Sequence, residues 1–391
     1  MAPRLKRISL HGRRKTPSAR DVVFRELPGH LSFINAMATT GRTLTSIMHP
    51  PGLAGISTVC KDMSFYVSPW SGEDHVTLYE ELTGVIDEVD PALVVLDVFF
   101  RPAIDATRKQ NRLHAFITPN TVIESFPHEQ PYLGWLWKYP VSSSDRKGLQ
   151  TDASTPVDII PPNVTCTGPI SLSLLTAEEQ SPGLARWLAR SPTVLINLGN
   201  LFSWTEDHAT AMAQAVAAVL HERTDMQVLW KFRKAVVDAE GAIYGDEFAS
   251  PVHPFLKSGR VKMEPWLDVD PTSLLETGHI VASVHHGGAG CYHEALGTGV
   301  PQVVLPLWLD HYTFAQLVED VRIGIWGCRE TSPYWTADCL RHALLTVLDR
   351  SENGIAMREN ARRFGDLSRR DPGQYVAARE IAKLAASGYG S

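Results

Sequence analysis

Short apolar runs alternate with amphipathic segments through the second half of the chain. Residues 193–198 are mainly apolar and rich in β-branched side chains, residues 227–232 contain Val, Leu, Trp and Phe, and both segments are short enough to be strands. Between them, residues 206–222 repeat alanine and larger apolar residues at helical spacing, so we expect a helix there. Strands that alternate with helices predict a parallel sheet covered by helices on both faces, which is an α/β fold.

The same order continues toward the carboxyl terminus and is present, more sparsely, in the first half. A glycine-rich turn at residues 285–290 joins one strand to the next helix. The elements predicted around this turn are strand 280–284, helix 291–296, strand 300–305, helix 313–321 and strand 323–326. The elements predicted in the first half are strand 92–96, helix 102–109 and strand 113–117.

A break in this periodicity suggests where two domains meet. Residues 155–180 are rich in Pro, Thr and Ser and show neither helical nor strand spacing. The chain has 391 residues, which is long for one core, since domains usually contain about 100–200 residues. We therefore predict an amino-terminal domain at 1–170, a second domain at 171–368 and a terminal helical segment at 369–391.

Composition and charge narrow the functional classes. An apolar fraction of 44% and a charged fraction of 20% are typical of a folded globular protein. The formal net charge of −6 argues against a nucleic-acid partner, because such proteins present basic surfaces to phosphates. No stretch reaches the ~18–20 apolar residues of a transmembrane segment. The five cysteines are scattered, without the spacing of a zinc site or the density of a disulfide framework, so we expect a reducing cytoplasm.

Candidate chemistry concentrates where a predicted strand turns into a helix. Gly287, Gly288 and Gly290 occupy this turn, and the first amides of the following helix have no partner within it. Free amides and the positive end of a helix dipole form a seat for an anion, and glycines let a diphosphate approach the backbone. His286 can donate a charge-assisted hydrogen bond to a phosphate oxygen. Glu294, on the same helix, can accept hydrogen bonds from ribose hydroxyls.

The segment from Trp266 to Gly327 resembles the donor-binding box of UDP-dependent glycosyltransferases of the GT-B fold, which include plant secondary-product and fungal sterol or metabolite glycosyltransferases. In that family a tryptophan stacks on uracil, a histidine and a glycine loop hold the diphosphate, an acidic residue binds the ribose, and a later pair contacts the sugar. A strand-end turn upstream also approaches the phosphates. The resemblance assigns donor binding to Trp266, His286, Gly287, Gly288, Ala289, Gly290, Cys291, Glu294, Asp310, His311, Gly199 and Asn200.

Two positions depart from the family pattern. Cys291 stands where the family often has Ser or Thr, so we expect its backbone rather than its side chain to contact phosphate. His311 replaces a glutamine common in plant members, which leaves the sugar open. Gly168-Pro169 resembles the family's hinge, and residues 375–386 resemble its terminal helix, which crosses back to the first domain. The resemblance implies two Rossmann-like domains whose parallel sheets face a cleft.

In this family a histidine near the first strand acts as general base toward the acceptor hydroxyl, and an aspartate orients it. Asp97 matches the aspartate, because it follows a predicted strand inside an apolar run. The family's first strand, histidine turn and first helix do not appear at the start of the sequence, so we expect an incomplete amino-terminal domain. Of the early histidines, His11 and His30, we take His30 as the candidate base.

The implied reaction is direct, inverting transfer of a hexose from a UDP-sugar to a hydroxyl group. The UDP-sugar is a co-substrate, with UDP-glucose as the expected donor, and the aromatic content of the first domain favours a lipophilic small acceptor. No Asp-x-Asp pair of the metal-dependent sugar transferases stands at a predicted strand end, so we expect no metal cofactor.

Two other functions stay open. Gly288-Ala-Gly290, with Asp310 about twenty residues on, matches part of a nicotinamide-binding fingerprint, although His293 occupies the third glycine position. A chain with a donor site but no base would instead be a catalytically impaired, UDP-sugar-binding relic. Stabilisation by UDP and not by NADH distinguishes the first alternative, and transfer or hydrolysis of the donor distinguishes the second.

Overall fold

The structure is a computed structural model that describes most of the chain. The described residues are 23–28, 31–32, 35–36, 47–121, 125, 160–171, 173, 175–235 and 244–388. The candidate base His30 lies outside them.

The first part of the chain, as far as the structure describes it, contains three helices and a small parallel sheet. In order, these elements are helix α1 (Leu53–Val67), helix α2 (Gly72–Val89), strand β1 (Val94–Asp97), helix α3 (Arg101–Lys109) and strand β2 (His114–Ile117). The two strands are parallel, with Val94 opposite His114, as a strand-helix-strand unit requires. Leu96 packs with Ala103 and Ile104 of α3 in a small core.

The second part contains a larger parallel sheet and the remaining helices. Its strands are β3 (Thr193–Ile196), β4 (Gln227–Lys231), β5 (Val261–Glu264), β6 (Ile280–His285), β7 (Gln302–Val304) and β8 (Gly324–Trp326). Its helices are α4 (Ala177–Gln180), α5 (Pro182–Leu188), α6 (Glu206–Glu222), α7 (His253–Lys257), α8 (Pro271–Glu276), α9 (Ala289–Thr298), α10 (Asp310–Asp320), α11 (Ala337–Val347), α12 (Glu352–Arg370) and α13 (Gly373–Ser387). Short 3₁₀ helices lie at Glu247–Val252 and Arg329–Thr331.

The strand order of the larger sheet determines where a ligand can bind. The strands lie in the order β5-β4-β3-β6-β7-β8, and all neighbours are parallel. The chain moves outward from β3 to β5 and then returns to place β6 on the other side of β3. Ligands of open α/β sheets collect beyond the carboxyl ends of the strands where the order reverses. In this sheet that point lies between the ends of β3 and β6.

Helices on both faces explain why the central strands are apolar throughout. All four residues of β3 are buried. Helix α6 buries a face rich in small residues, including Ala209, Ala213 and Val216, and this face lets the helix pack close to the sheet. Met48, from the first part of the chain, is buried in the same apolar cluster. The core of the second sheet is therefore closed in part by a segment far away in sequence.

The structure confirms the α/β class and most of the predicted elements. Helix α6 begins and ends at the predicted residues. The strand expected at 193–198 ends at Ile196, two residues earlier, although the Asn197 N–H still donates to the Val284 carbonyl of β6. The pattern did not predict β5, which has two charged residues among its four, or the long polar helix α12.

The cysteines contain one pair that their spacing did not suggest. Cys328 and Cys339 form a disulfide, with Cα atoms 5.3 Å apart and a sequence separation of 11. They meet because the turn after β8 folds back against the first turn of α11. The reducing cytoplasm stays a prediction, and this bond is an observation against it. Among the described helices, none is both long and apolar enough to cross a membrane.

The hinge-like sequence lies between two helices of the second part. A Cβ built on Gly373, at the start of α13, would lie 2.3 Å from the carbonyl oxygen of Pro169, so the two backbones are in close contact. A Cβ on Gly297 of α9 would lie 3.5 Å from the Pro169 ring. The segment around Gly168 is thus packed against α9 and α13. The domain boundaries at 170 and 368 stay predictions.

Candidate functional site

The turn from β6 into α9 presents unsatisfied backbone amides at the point where the strand order reverses. Gly288 is the N-cap of α9, and no side chain caps this helix end. Gly290, in the first turn, is exposed and a Cβ there would meet no atom within 4 Å. Open amides at a helix start, together with the helix dipole, attract an anion. The amides of residues 288–291 are therefore placed where an anion could bind, whereas the Gly287 N–H already donates to His285 Nδ1, and the predicted diphosphate contact stays a prediction.

The imidazole of His286 fills the space between two glycine backbones. A Cβ built on Gly199 would lie 2.7 Å from His286 Cε1, and one on Gly288 would lie 2.5 Å from Nε2. Gly199 also has φ of +80°, a conformation that residues with a side chain rarely adopt. Only glycine fits on either side of this ring, so the turns after β3 and β6 meet around a single histidine.

The charge state of His286 differs from the expectation. Burial, with smaller contributions from His285 and Lys231, lowers the pKa of His286 to about 3. The ring is therefore neutral near pH 7 and can donate a hydrogen bond without bringing a positive charge. Its Nδ1 is buried and makes no hydrogen bond to any described residue, which leaves the ring with unused capacity for a ligand.

Lys231, the last residue of β4, places a cation beside this ring. Its Nζ donates to the Gly199 carbonyl at 3.2 Å and to Asn200 Oδ1 at 2.6 Å. The side chain is 8% exposed, and burial is the main cause that lowers the pKa of its ammonium group. The described part of the chain gives it neutral acceptors and no ion pair, so an anion would be a favourable further partner. The sequence interpretation missed Lys231.

Trp266 is available to a planar ligand. The side chain is 53% exposed, so Trp266 is not part of the packed core. Lys231 Nζ lies 4.3 Å from the centroid of its ring, within cation–π distance. Trp266, Lys231 and the Gly199-Asn200 turn also line one shallow depression at this edge of the sheet. An aromatic surface, a cation and an amide turn are thus brought together.

Glu294 and Cys291 lie on α9 near the lysine. Burial raises the pKa of Glu294 to about 7, a nearby Asp270 raises it as well, and Lys231 opposes both. Burial raises the pKa of the Cys291 thiol to about 12, so the thiol is neutral and does not repel a phosphate. The site therefore combines a lysine ammonium group with a carboxyl group that titrates near neutral pH.

Asp310 and His311 begin α10, in the turn after β7. His311 is buried, its ring lies edge to face with His286 at a centroid distance of 4.5 Å, and its Nδ1 has no hydrogen-bond partner among the described residues. Burial, followed by the neighbouring histidines, holds its pKa well below the usual range. Leu309, just before this pair, has φ of +39°. The structure thus brings the predicted sugar-binding pair next to the predicted phosphate ligand.

The neighbouring histidines, His285 and His293, contact other parts of the protein. His285 Nδ1 accepts from the Gly287 N–H at 3.1 Å, so its Nε2 carries the proton and donates to Gln302 Oε1 at 2.7 Å. His293 packs its ring against Tyr292 and Phe314. Both rings contact the protein rather than the open edge of the sheet.

Asp97 lies at the carboxyl end of β1 and is exposed. Its Oδ1 accepts from the Phe99 backbone N–H at 2.8 Å, so the carboxylate, which follows an apolar run, has a hydrogen-bond partner in the next turn. The described residues contain a hydrogen-bonded histidine–aspartate pair elsewhere, in which His75 Nε2 lies 3.0 Å from Asp105 Oδ2. Within the described ranges, no group of three or more His, Cys, Asp or Glu side chains is arranged to hold a metal ion.

Comparison with known proteins identifies relatives of this chain. Residues 264–383 match the family described as erythromycin biosynthesis protein CIII-like, C-terminal domain. The glycosyltransferase sdnJ of Sordaria araneosa is 28% identical over 95% of this chain and 82% of its own length. A sterol 3-beta-glucosyltransferase of Leptosphaeria maculans is 35% identical over 26% of this chain, which is 6% of its own length.

Solved structures share the fold over most of the chain. UDP-glucose:anthocyanidin 3-O-glucosyltransferase in complex with UDP superposes with a TM-score of 0.57 at 16% identity, covering 87% of this chain and 84% of that one. Glycyrrhiza uralensis UGT73P12, complexed with glycyrrhetinic acid 3-O-monoglucuronide, gives a TM-score of 0.61 at 14% identity, covering 81% and 77%. At these identities the likeness concerns the fold alone.

Proposed function

Since this chain belongs to the UDP-dependent glycosyltransferases of the GT-B fold, we propose that it transfers a hexose from a UDP-sugar to a hydroxyl of a lipophilic small molecule, with inversion. The observation that carries the proposal is the neutral, partly unsatisfied His286 between Gly199 and Gly288, at an uncapped helix start. Fungal relatives named as sterol 3-beta-glucosyltransferases support a lipophilic acceptor and glucose as the sugar.

In this proposal the diphosphate rests on the amides of residues 288–291. The neutral His286 ring donates one hydrogen bond to it, and Lys231 supplies the positive charge. The helix start and Lys231 together take the part that a divalent cation plays in other sugar transferases. The charge that develops on the departing UDP would be stabilised by groups already in position, so little reorganisation accompanies bond breaking.

The remaining donor contacts follow from the same arrangement. Trp266 is exposed enough to stack on uracil, and Glu294, once ionised, accepts hydrogen bonds from the ribose hydroxyls. Asp310 and His311 would contact the sugar hydroxyls. The closeness of the His311 and His286 rings supports this assignment, because the sugar and the diphosphate are covalently adjacent in the donor.

We further propose that His30 and Asp97 form the catalytic pair. Leu31, which follows His30 in sequence, accepts a hydrogen bond from Trp70 Nε1 at 2.7 Å. The Trp70 ring in turn packs against Phe100 at a centroid distance of 5.6 Å, in the turn that also contains Asp97. These contacts support the proposal, because they link the residue next to His30 to the end of β1.

The proposed chemistry is a single displacement. The acceptor oxygen forms a bond to the anomeric carbon while the bond from that carbon to the UDP oxygen breaks, so UDP leaves with the bonding electron pair. The acceptor proton moves to the His30 imidazole, and the ionised Asp97 stabilises the imidazolium that forms. The opposed directions of attack and departure produce inversion.

A melting experiment followed by an activity assay tests this proposal. UDP at about a hundred times its dissociation constant should stabilise the protein by about 2.7 kcal/mol, whereas NADH should have no effect. Transfer from UDP-glucose to a panel of phenols and sterols should then be measured, together with slow donor hydrolysis. Stabilisation by NADH would favour an oxidoreductase, and UDP binding without transfer or hydrolysis would favour a catalytically impaired relic.

A further inference from the structure

We infer that His49 is a positioning residue for the turn at 308–311, which makes it a determinant of how the donor sugar is bound. The inference rests on the proposed function, in which Asp310 and His311 contact that sugar. His49 is 2% exposed and belongs to the first part of the chain, 260 residues before its hydrogen-bond partner Leu309.

The two ring nitrogens of His49 have fixed roles. Nε2 accepts a hydrogen bond from the Leu309 backbone N–H at 3.0 Å. The proton of the neutral ring must therefore be on Nδ1, which lies 3.0 Å from the Pro50 carbonyl oxygen and donates to it. The ring connects one backbone segment to another and leaves neither nitrogen free for a substrate.

The backbone around His49 is anchored to the same turn. The His49 N–H donates to the Leu307 carbonyl at 3.2 Å, and the Tyr312 hydroxyl donates to the His49 carbonyl. Met48 is buried in the apolar cluster that contains Leu307. The contacts of His49 thus lie on both sides of the proposed sugar-binding pair, at Leu307 and Leu309 before it and at Tyr312 after it.

Leu309 shows why this turn needs support. Its φ of +39° and ψ of −120° are unfavourable for a residue with a Cβ and persist only where the surroundings hold them. Asp310 and His311 follow directly, so the conformation of Leu309 sets where α10 begins and where these two side chains lie. Among the described residues, the partner of the Leu309 N–H is His49, and loss of this bond would release the turn.

Two substitutions of His49 distinguish the effect of its hydrogen bond to Leu309 from the effect of its side-chain packing. In His49→Gln the side-chain oxygen can occupy the place of Nε2 and still accept from Leu309, whereas in His49→Asn the shorter chain leaves the oxygen near the place of Nδ1. Dissociation constants for UDP and for UDP-glucose should be measured by calorimetry on the full chain. The ratio of the UDP-glucose constant to the UDP constant isolates the contribution of the sugar.

We expect His49→Asn to raise this ratio about 3- to 10-fold, with the UDP constant within about twofold of the wild-type value. His49→Gln should restore the ratio to within about twofold. Tyr312→Phe, which removes only the hydroxyl that donates to the His49 carbonyl, should raise it by about twofold and serves as the test if His49→Asn does not fold.

The outcomes are distinct. Equal weakening of both ligands, or an unchanged ratio in His49→Asn and Tyr312→Phe, would overturn this inference while leaving the proposed function intact. Failure of Gln to restore the ratio would also overturn it, because bulk rather than the hydrogen bond would then matter. A wild-type protein that bound neither UDP nor UDP-glucose would overturn the proposed function, and this inference with it.

Discussion

The carboxyl ends of β6 and β1 carry the two halves of the proposed reaction, and they differ in how firmly their side chains are held. His286, after β6, is enclosed by two glycine backbones and lies against a second buried histidine. Asp97, at the end of β1, is exposed, and its carboxylate accepts a hydrogen bond from the Phe99 backbone N–H, two residues away. Donor binding should therefore be coupled to the packing of the second sheet, whereas the acceptor-side carboxylate should affect rate alone.

The largest effect is expected from substitution of Asp97, which tests whether this carboxylate affects the rate of transfer alone. Asp97→Asn should lower kcat for transfer by about 100-fold or more, because the charge that stabilises the protonated base is lost. UDP affinity and thermal stability should stay near wild type, since exposed substitutions usually change stability by about 0.5 kcal/mol or less. Steady-state kinetics and UDP titration measure both.

Asp105 offers a matched control for Asp97. It is an exposed aspartate of the same unit and pairs with His75 on the surface. Asp105→Asn should leave kcat unchanged. An equal loss of kcat in both variants would show that the effect reflects the fold of the first part, and Asp97 would lose its proposed role.

Substitution of Lys231 tests whether UDP binding depends on a buried positive charge. Lys231→Met keeps the aliphatic stem beside Trp266 and removes the ammonium, so UDP affinity should fall about 10- to 100-fold. Affinity for uridine, which lacks phosphate, should change little. Stability should hold or rise, because removing a buried charge without a counter-ion relieves its desolvation cost.

Isothermal titration with UDP and uridine provides the measurement for Lys231. Lys262→Met is the control, because Lys262 forms a surface ion pair with Glu264 on the neighbouring strand β5. Equal weakening of UDP and uridine in Lys231→Met would contradict a phosphate role and point to the Trp266 surface instead.

Gly199 tests the enclosure of His286 directly. Gly199→Ala places a Cβ 2.7 Å from the ring at a φ of +80°, so we expect a destabilisation of about 1–3 kcal/mol and a loss of UDP affinity of about tenfold. Chemical denaturation and UDP titration measure the two effects. In Gly84→Ala, within α2 and with no atom in reach of the new Cβ, stability should instead rise by up to ~1 kcal/mol. Wild-type UDP affinity in Gly199→Ala would show that the His286 ring can move aside without cost.

The sequence predicted the donor half in more detail than the other half for a physical reason. Residues 285–294 combine glycines, a strand end and a helix start within ten positions, so local rules locate the anion seat. Lys231 was missed although it ends an apolar strand with a charge, the same signal that identified Asp97. If a charged residue at the end of an apolar strand had been treated as a site candidate in both strands, both Lys231 and Asp97 would have been predicted.

Other features depend on contacts that no local pattern records. The partners of His49 around the turn at 308–311 lie about 260 positions further along the chain, and nothing around residue 49 predicts them. The neutral state of His286 also escaped prediction, because its pKa depends on burial produced by β3 and its turn. The Cys328–Cys339 disulfide joins two elements whose fold had to be known first.

The smallest expected effect is a change of UDP affinity with pH, which identifies the group that titrates at the donor site. Burial raises the pKa of Glu294 to about 7, whereas that of His286 is about 3, so the carboxyl group titrates near neutral pH and the imidazole does not. The ionised carboxylate offers two strong acceptor oxygens to the ribose hydroxyls, whereas protonation turns one of these oxygens into a donor. UDP affinity should therefore fall about 3- to 10-fold between pH 8 and pH 6, and calorimetry at several pH values measures it.

Glu294→Gln should remove this dependence, and because it binds the same ligand it controls for titration of the UDP phosphates. The folded state raises the carboxyl pKa, so the stability associated with the neutral group is present below about pH 4.5 and is lost as pH rises toward 7. Glu294→Gln should accordingly be more stable than wild type by ~1–3 kcal/mol at pH 8, and the gain should vanish near pH 4.5. If the pH dependence of UDP binding survived in Glu294→Gln, another group at the donor site would have to titrate, and the assignment of this dependence to Glu294 would fail.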